Sequence, residues 1–247
     1  MSNITKLFKT EKKLLIPYIT AGDPDLASTE KLILGLEKNG ADIIELGIPF
    51  SDSLADGPTI VSSHMRALDQ GTSLKKVFAM VKNIRKKTQI PLVFMLSYNL
   101  IYKFGITEFI RQAELCGVSG YIIPDLPPEE TPKELKPIYL VTPTTTKQRI
   151  KTIVKQSSHF VYLVSTTGVT GARESLPASL KALIKEVKKA SPLPVAVGFG
   201  ISSAKQAKSV AELADGVIIG SALVKLIEKS TPKALTFIKE VKQALKS

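Results

Sequence analysis

The 247-residue sequence has little cysteine, little histidine and no long apolar run, and each shortage excludes a class of protein. Cys116 is the only cysteine, so a disulfide within the chain is excluded and a reducing compartment is expected. His64 and His159 have no obvious metal-binding partners, so no metal site is predicted. No apolar stretch approaches the ~18 residues that span a bilayer. These shortages predict a cytoplasmic protein that makes no membrane contact.

Arginine is also scarce, although the chain is basic, with a formal net charge of +12. Arginine is the residue that recognises bases and phosphates with two parallel hydrogen bonds. Most of the 34 basic residues in this chain are lysines instead. The lysines alternate with apolar residues at helical spacing, as they do between Lys181 and Lys189. This pattern is typical of solvated helix faces, with a weak attraction for an anionic ligand or partner as the alternative. No nucleic-acid binding is predicted.

Eight short apolar runs recur along the chain without polar alternation, which is typical of parallel strands buried on both faces. They are residues 14–20, 42–46, 91–97, 120–124, 138–142, 160–164, 193–198 and 216–220. Helical patterns occupy residues 26–40, 73–87, 106–117, 146–157, 177–190 and 203–213. Eight strand–helix units predict an α/β fold of the (β/α)8 TIM-barrel type. Because no linker interrupts them, a single domain over residues 1–247 is expected.

Several connections in this predicted barrel are unusual. The connection from strand 2 to strand 3 is long, so residues 45–58 (ELGIPFSDSLADGP) are expected to form an extended loop after strand 2. The segment after strand 6, residues 165–175, is rich in Gly, Ser and Thr and suits a lid. Residues 125–137 leave room for no more than about two helical turns between strands 4 and 5. Residues 40–47 and 213–220 are near copies of each other.

Carboxylates gather in the loop after strand 2, at the barrel end where active sites lie. Glu45 has an apolar context, and burial would raise its pKa and let it carry a proton near neutrality. The alternative is that Glu45 is a buried structural carboxylate that accepts hydrogen bonds from backbone amides. Asp56 lies in a more polar turn, so the two groups suit a division of acid and base roles. Asp52 is expected to have a structural or interface role, either capping a helix that begins near Pro58 or forming an Asx turn.

Glycine-rich junctions follow strands 7 and 8, at GFGIS (198–202) and GSA (220–222). Glycine allows a close backbone approach, and free amides at a helix N-terminus attract anions. A phosphate site after these two strands recurs in barrels of this type. The junctions therefore predict phosphate binding by backbone amides and Ser221, with plain tight turns as the alternative.

Six segments together resemble the tryptophan synthase alpha subunit family over nearly the whole chain. They are LLIPYITAGDP (14–24), ELGIPFSDSLADGP (45–58), PDLPPEE (124–130), VYLVSTTGVTGAR (161–173), PVAVGFGIS (194–202) and ADGVIIGSALV (214–224). The resemblance implies retro-aldol cleavage of indole-3-glycerol phosphate to indole and glyceraldehyde 3-phosphate. It also implies a beta-subunit partner in an alpha2beta2 heterotetramer. Pyridoxal phosphate is then expected only in that partner, and no cofactor in this chain.

The resemblance assigns roles residue by residue. Glu45 matches the family's general acid/base, and Asp56 matches the carboxylate that engages the indole N–H. The implied substrate-binding residues are Tyr18, Ile60, Tyr162, the lid residue Thr170, and the phosphate-site residues Gly198, Phe199, Gly200, Gly220 and Ser221. Three positions depart from the family pattern. Ser53 replaces a proline and implies a less rigid loop, Ser97 replaces a tyrosine and implies a larger pocket, and Thr166 is an unusual lid residue.

Two other functions remain open from the sequence. One is a different phosphate-sugar TIM-barrel enzyme, which would need its own base on strands that offer only apolar or hydroxyl residues. The other is a catalytically weak alpha-type subunit that acts mainly as an allosteric activator of a beta subunit. The presence of both Glu45 and Asp56 favours catalysis over both.

Overall fold

Eight parallel strands form the inner layer of the computed structural model, which describes residues 3–11, 13–53, 56–164, 176–198 and 200–247. They are β1 (Leu14–Thr20), β2 (Ile44–Gly47), β3 (Leu92–Met95), β4 (Gly120–Ile122), β5 (Leu140–Val141), β6 (Val161–Val164), β7 (Val195–Gly198) and β8 (Gly216–Ile219). Their order is β4-β3-β2-β1-β8-β7-β6-β5. A parallel bridge between Ile122 and Ile138 joins the two ends of this order. The predicted barrel is confirmed, and each predicted run overlaps one strand.

Helices surround the strands. Within the described residues they are α1 (Asn3–Thr10), α2 (Leu26–Lys38), α3 (Pro58–Asp69), α4 (Leu74–Ile84), α5 (Tyr98–Phe104), α6 (Ile106–Cys116), α7 (Lys147–Gln156), α8 (Ala178–Ala190), α9 (Ala204–Ala211), α10 (Ser221–Lys229) and α11 (Thr231–Lys246). Side-chain caps start several of them, because Asp25, Ser73 and Thr146 each accept the backbone N–H three residues later. The six predicted helical patterns correspond to α2, α4, α6, α7, α8 and α9. No helix in the described part of the chain has both the length and the apolar character needed to cross a bilayer.

The connection between β4 and β5 is short, as expected. One 3-10 turn, Pro128–Glu130, replaces the helix that this position of the ring would otherwise carry. Strand β5 has only two residues, so the contact between β4 and the segment before β5 rests on the single Ile122–Ile138 bridge. The outer ring is therefore thinnest here.

Alternation along the strands decides which side chains enter the barrel. Leu14 and Ile16 of β1, and Ile43 just before β2, pack in the apolar cluster that fills the barrel interior. Neighbouring residues such as Leu15 pack in the larger cluster between the strands and the helices. Because side chains alternate between the two faces of a strand, Glu45 continues the inward series on β2, as Tyr18 does on β1. These two residues are register partners across the β1–β2 pair.

Two aspartates explain the near copies noted in the sequence. Asp42, before β2, accepts the backbone N–H of Leu15 at 2.6 Å, and Asp215, before β8, accepts the N–H of the first residue of β7 at 2.9 Å. Each aspartate also forms a salt bridge with a lysine. The Nζ–Oδ distance is 2.6 Å between Lys242 and Asp42 and 2.7 Å between Lys188 and Asp215. The repeated motif thus fastens a strand to its neighbour at the barrel end opposite the carboxylate loop.

Candidate active site

Glu45 is buried inside the barrel with no polar partner. The residue is 1% exposed, and neither carboxylate oxygen has a hydrogen-bond partner among the described residues. Burial, and then the negative charge of Asp56, raises the pKa of Glu45 from its ordinary value of 4.5 to about 8. A carboxyl group with this pKa is largely protonated near neutrality and can both give and take a proton. The alternative role of Glu45 would require hydrogen bonds from backbone amides, and no amide of the described residues donates one to it.

Asp56 lies two residues before α3, at the end of the loop that follows β2. The residue is half-buried, and the Ser53 hydroxyl donates a hydrogen bond to its Oδ2. Ser53 was expected to loosen this loop relative to proline, yet its side chain is tied to the functional carboxylate. A loop hydroxyl therefore takes part in orienting Asp56.

Asp52 does not cap α3, so that part of its prediction is wrong. The N-cap of the helix is Gly57, which has no side-chain cap, and Pro58 occupies the first turn. Asp52 is exposed and instead accepts a hydrogen bond from the neighbouring Ser51 hydroxyl at 2.7 Å. The prediction that remains for Asp52 is a role within the loop or at an interface.

A cavity of about 530 Å³ opens at the C-terminal ends of the first four strands. Its lining combines aromatic and apolar side chains, such as Phe50 and Met95, with the polar groups of Asp56 and His64. Tyr18 also lines it. Among the predicted site residues that the structure describes, this cavity brings together Tyr18 and Asp56. A mainly apolar cavity with a few polar groups is typical of small-molecule sites.

The Tyr18 hydroxyl is held by a hydrogen-bonded group that the sequence did not reveal. Its Oη lies 3.0 Å from His64 Nε2 and 3.4 Å from Thr20 Oγ1. A Cβ atom at Gly47 would lie 2.1 Å from this Oη, so the phenol occupies the space left by the missing side chain. His64 lies on α3, the helix after the loop, and its contact with the site was not predicted.

The buried face of α3 could have indicated His64. Ile60, Ser63, His64 and Ala67 are the buried residues of the helix, spaced by three and four positions. A polar residue on such a stripe at the edge of a predicted site is expected to point into that site. The partner on β1 lies 46 residues away and had no signal in the sequence.

Two further predicted substrate residues are buried but do not line the cavity. Ile60 packs against Tyr18 and Val224. Tyr162 on β6 belongs to the interior cluster, and burial followed by the charge of Glu45 raises the pKa of its hydroxyl. A Cβ atom at Gly198 would lie 2.9 Å from the Tyr162 ring, so this glycine leaves space for it. Their substrate contacts stay predictions.

The predicted phosphate site lies at the ends of β7 and β8, which are separated from β2 by β1 in the strand order. Gly198 ends β7, Gly200 has a φ of 39°, and Gly220 is the N-cap of α10, which begins at Ser221. Gly220 has no side chain that could cap α10, so no side chain of the N-cap residue accepts hydrogen bonds from the first backbone amides of this helix. Phe199, Thr166 and Thr170 lie outside the described residues, as does the whole predicted lid of residues 165–175.

Asp125 fixes the start of α5 at the cavity wall. It lies after β4 and accepts hydrogen bonds from the Ser97 hydroxyl at 2.6 Å and the Tyr98 backbone N–H at 2.8 Å. Ser97 lines the cavity, and the larger pocket that it implies in place of a tyrosine stays a prediction. No group of three or more potential metal-binding side chains occurs in the residues that the structure describes.

The comparisons with known proteins agree on one family. A family model described as "Tryptophan synthase alpha chain" matches residues 4–247. The tryptophan synthase alpha chain of Geotalea daltonii is 48% identical, over 100% of this chain and 97% of its own length. The crystal structure of tryptophan synthase subunit alpha from Legionella pneumophila superposes with a TM-score of 0.91 at 36% identity, covering 100% and 99% of the two chains.

A solved complex is also similar to this chain. A chain of the tryptophan synthase a2b2 complex from Pyrococcus furiosus, a structure reported to explain mutual activation, superposes with a TM-score of 0.86 at 41% identity. The match covers 94% of this chain and 97% of that one. Identities of this size over full-length chains go beyond a shared barrel architecture.

Proposed function

Because the chain belongs to the tryptophan synthase alpha chain family, it is the lyase subunit that cleaves indole-3-glycerol phosphate, and we propose that Glu45 and Asp56 carry the proton transfers of that cleavage. The products are indole and glyceraldehyde 3-phosphate. The single observation that carries the proposal is the buried, unpartnered Glu45 carboxyl group with a pKa of about 8. A carboxyl group without hydrogen bonds in a barrel interior is costly, and active sites are where such costs occur.

The two carboxyl groups divide the work. Protonated Glu45 delivers its proton to indole C3, which places positive charge on the ring nitrogen, and the Asp56 carboxylate stabilises that charge. Glu45, now ionised, takes the proton of the glycerol hydroxyl next to the breaking bond. That hydroxyl becomes a carbonyl as the C–C bond breaks, and the electron pair returns to the indole ring. Glu45 ends the cycle protonated, so one group serves as acid and then as base.

The substrate phosphate binds at the ends of β7 and β8 at the barrel mouth. The amides around Gly198, Gly200 and Gly220 and the N-terminus of α10 at Ser221 favour an anion through unpaired N–H groups and the helix dipole. Phe199 is proposed to belong to this phosphate site, and Thr170 to close over the substrate. With the phosphate held there, the indole end reaches the cavity lined by Tyr18 and Asp56, above the Tyr162 ring.

We further propose that the chain works with a beta subunit in an alpha2beta2 heterotetramer. The similarity to a chain of the Pyrococcus furiosus a2b2 complex supports this partner. Pyridoxal phosphate would then belong to the beta subunit, and no cofactor is required by the proton transfers assigned to this chain. The loop that carries Asp56 is exposed at Ser51 and Asp52, where a partner could order it. A cytoplasmic location agrees with the single cysteine.

The test is cleavage of indole-3-glycerol phosphate by purified protein, alone and with a beta subunit. We expect Glu45→Gln and Asp56→Asn each to lower cleavage by at least ~10²-fold, the usual effect of losing a general acid or base. Glu134→Gln and Asp69→Asn make the same chemical changes at exposed positions and should leave the rate unchanged. Near wild-type cleavage by either site variant would contradict its role. Stimulation of a beta subunit without cleavage by the wild type would favour the activator function.

A further inference from the structure

A second polar group lies beside Glu45 and is not used by the proton transfers described above. It consists of Tyr18 and Thr20 on β1 and Ser63 and His64 on α3, and each of these four residues is at most 5% exposed. Polar side chains buried to this degree are usually kept because their hydrogen bonds position something. The question is which group is positioned, and for what purpose.

The hydroxyls of this group fasten α3 to β1. Thr20 Oγ1 lies 2.6 Å from Ser63 Oγ, and the Ser63 hydroxyl also donates to the Ile60 carbonyl at 2.7 Å. His64, the next residue on α3, is therefore set against β1 by its neighbour. Its Nε2 reaches the Tyr18 hydroxyl at 3.0 Å, so the helix that directly follows the Asp56 loop touches the barrel interior.

Two contacts of different kinds determine where the Tyr18 phenol lies relative to Glu45. Gly47 leaves the space that the hydroxyl occupies, as the 2.1 Å approach of a hypothetical Cβ shows. That space permits the position but does not hold the ring there, since van der Waals contact has little directionality. The hydrogen bond to His64 supplies the direction. Tyr18 lines the cavity, and its register partner Glu45 lies next to it on β2 and is almost fully buried, so the ring stands beside the carboxyl group at the cavity wall.

We propose that His64 is a positioning residue, which acts through the Tyr18 hydroxyl to hold the phenol ring beside Glu45 at the wall of the substrate cavity. The inference rests on the proposed function of Glu45. Burial lowers the pKa of His64, so the imidazole is neutral near pH 7 and offers one donor and one acceptor nitrogen. A neutral ring can fix the hydroxyl without adding charge beside Glu45 and Asp56.

The first test is a double-mutant cycle on the cleavage of indole-3-glycerol phosphate by the full chain. His64→Leu should lower kcat by about five- to tenfold, the effect of one lost neutral hydrogen bond, and change KM less. His64→Gln, whose amide can reach the Nε2 position, should recover most of that loss. In the Tyr18→Phe background, which has no hydroxyl, His64→Leu should have little further effect. His159→Asn, at the other end of the barrel, is the control and should retain wild-type kcat.

Two outcomes of the cycle would overturn the inference. One is an unchanged kcat in His64→Leu, and the other is an equal loss in the wild-type and Tyr18→Phe backgrounds, which would show that His64 does not act through the hydroxyl. Thermal unfolding of each variant separates a folding defect from a catalytic one. If the proposed function itself fails, the Glu45→Gln variant retains cleavage, and this result is independent of the cycle.

A second measurement needs no substrate. The chain has two histidines, so the imidazole 15N and 1H signals of His64 are assigned by their absence in His64→Gln. Tyr18→Phe should shift these signals and leave those of His159 in place. Unshifted His64 signals would remove the contact on which the proposal depends, even if the variants lose activity.

Discussion

Replacement of Glu45 by glutamine should stabilise the protein while it abolishes activity, and the gain should depend on pH. Below pH 4.5 the carboxyl group is protonated in the folded and the unfolded chain, so its ionisation does not affect stability. Between pH 4.5 and about 8 the unfolded chain releases a proton that the folded chain keeps. The free energy of unfolding therefore falls by about 1.4 kcal/mol for each pH unit in this range. Above about pH 8 the loss is complete.

The size of the effect follows from the width of this window. Glutamine has nearly the same shape as protonated glutamate and does not ionise. From pH 5 to pH 7.5, the stability of Glu45→Gln relative to wild type should therefore rise by about 3 kcal/mol. For a chain of this length that corresponds to a relative increase in Tm of about 6–12 °C. Stability gained by removing a functional group is a common cost of an active site.

The assay is thermal unfolding of both proteins at closely spaced pH values, supported by urea unfolding at pH 5 and pH 7.5. Subtracting the unfolding free energies of the two proteins at each pH removes the contributions of the titrating groups that they share. Glu134→Gln is the matched control, because its side chain is exposed, and its difference from wild type should be flat across the range. A flat difference for Glu45→Gln as well would refute the reasoning, since Glu45 would then ionise as readily in the folded barrel as in the unfolded chain.

Two further results are expected. Ser221→Asp should raise KM for the phosphorylated substrate at least about tenfold in steady-state kinetics, because the new charge repels the phosphate, while Tm is unchanged or higher, because an acid in the first turn of α10 stabilises the helix. An unchanged KM would place the phosphate elsewhere. Lys242→Met should lower the free energy of unfolding in urea by about 3 kcal/mol or more, because Asp42, whose side chain is 14% exposed, would keep its hydrogen bond from Leu15 but lose its counter-ion. Lys188→Met, beside the more exposed Asp215, should cost less than about 1 kcal/mol. Equal losses at the two sites would contradict this account.

The strands were predictable because their apolar runs carry strong local signals. Burial on both faces requires apolar residues at nearly every position, so each run marked a strand whatever its neighbours were. The sequence also placed Glu45 in an apolar context at the end of strand 2, whereas its inward orientation followed from the alternation of side chains in the structure. Helices with a clear apolar stripe and a cap, such as α2 after Asp25, were also predicted. Helices α1, α5, α10 and α11 were not predicted, and length does not explain this, because the eight-residue α9 was predicted and the sixteen-residue α11 was not. α1 precedes the first strand, α5 adds to the single helix expected between β3 and β4, and α10 and α11 follow the last strand.

The contacts that complete the site could not be predicted from the sequence. The Tyr18–His64 hydrogen bond joins residues that only the packing of α3 on β1 brings together. The Ser53–Asp56 bond is local, but a hydroxyl three residues from a carboxylate has many other geometries in a loop. Asp52 was expected to cap α3 as one option, and the helix instead begins after Gly57 without a side-chain cap. Local patterns specified the elements, whereas tertiary packing selected the polar pairs.

The repeated motif before and within β2 and β8 keeps architecture and chemistry at separate positions. Asp42 and Asp215 occupy the same place in the two copies, and both fasten neighbouring strands. Gly47 and Gly220 also correspond, at the other end. Two inward positions lie between them, and the second is Glu45 in β2 and, in β8, Ile218, which packs in the interior cluster. Evolution can therefore exchange a packing residue for a reactive one at this position without rebuilding the frame, and a designer could introduce an acid into other barrel strands by the same route.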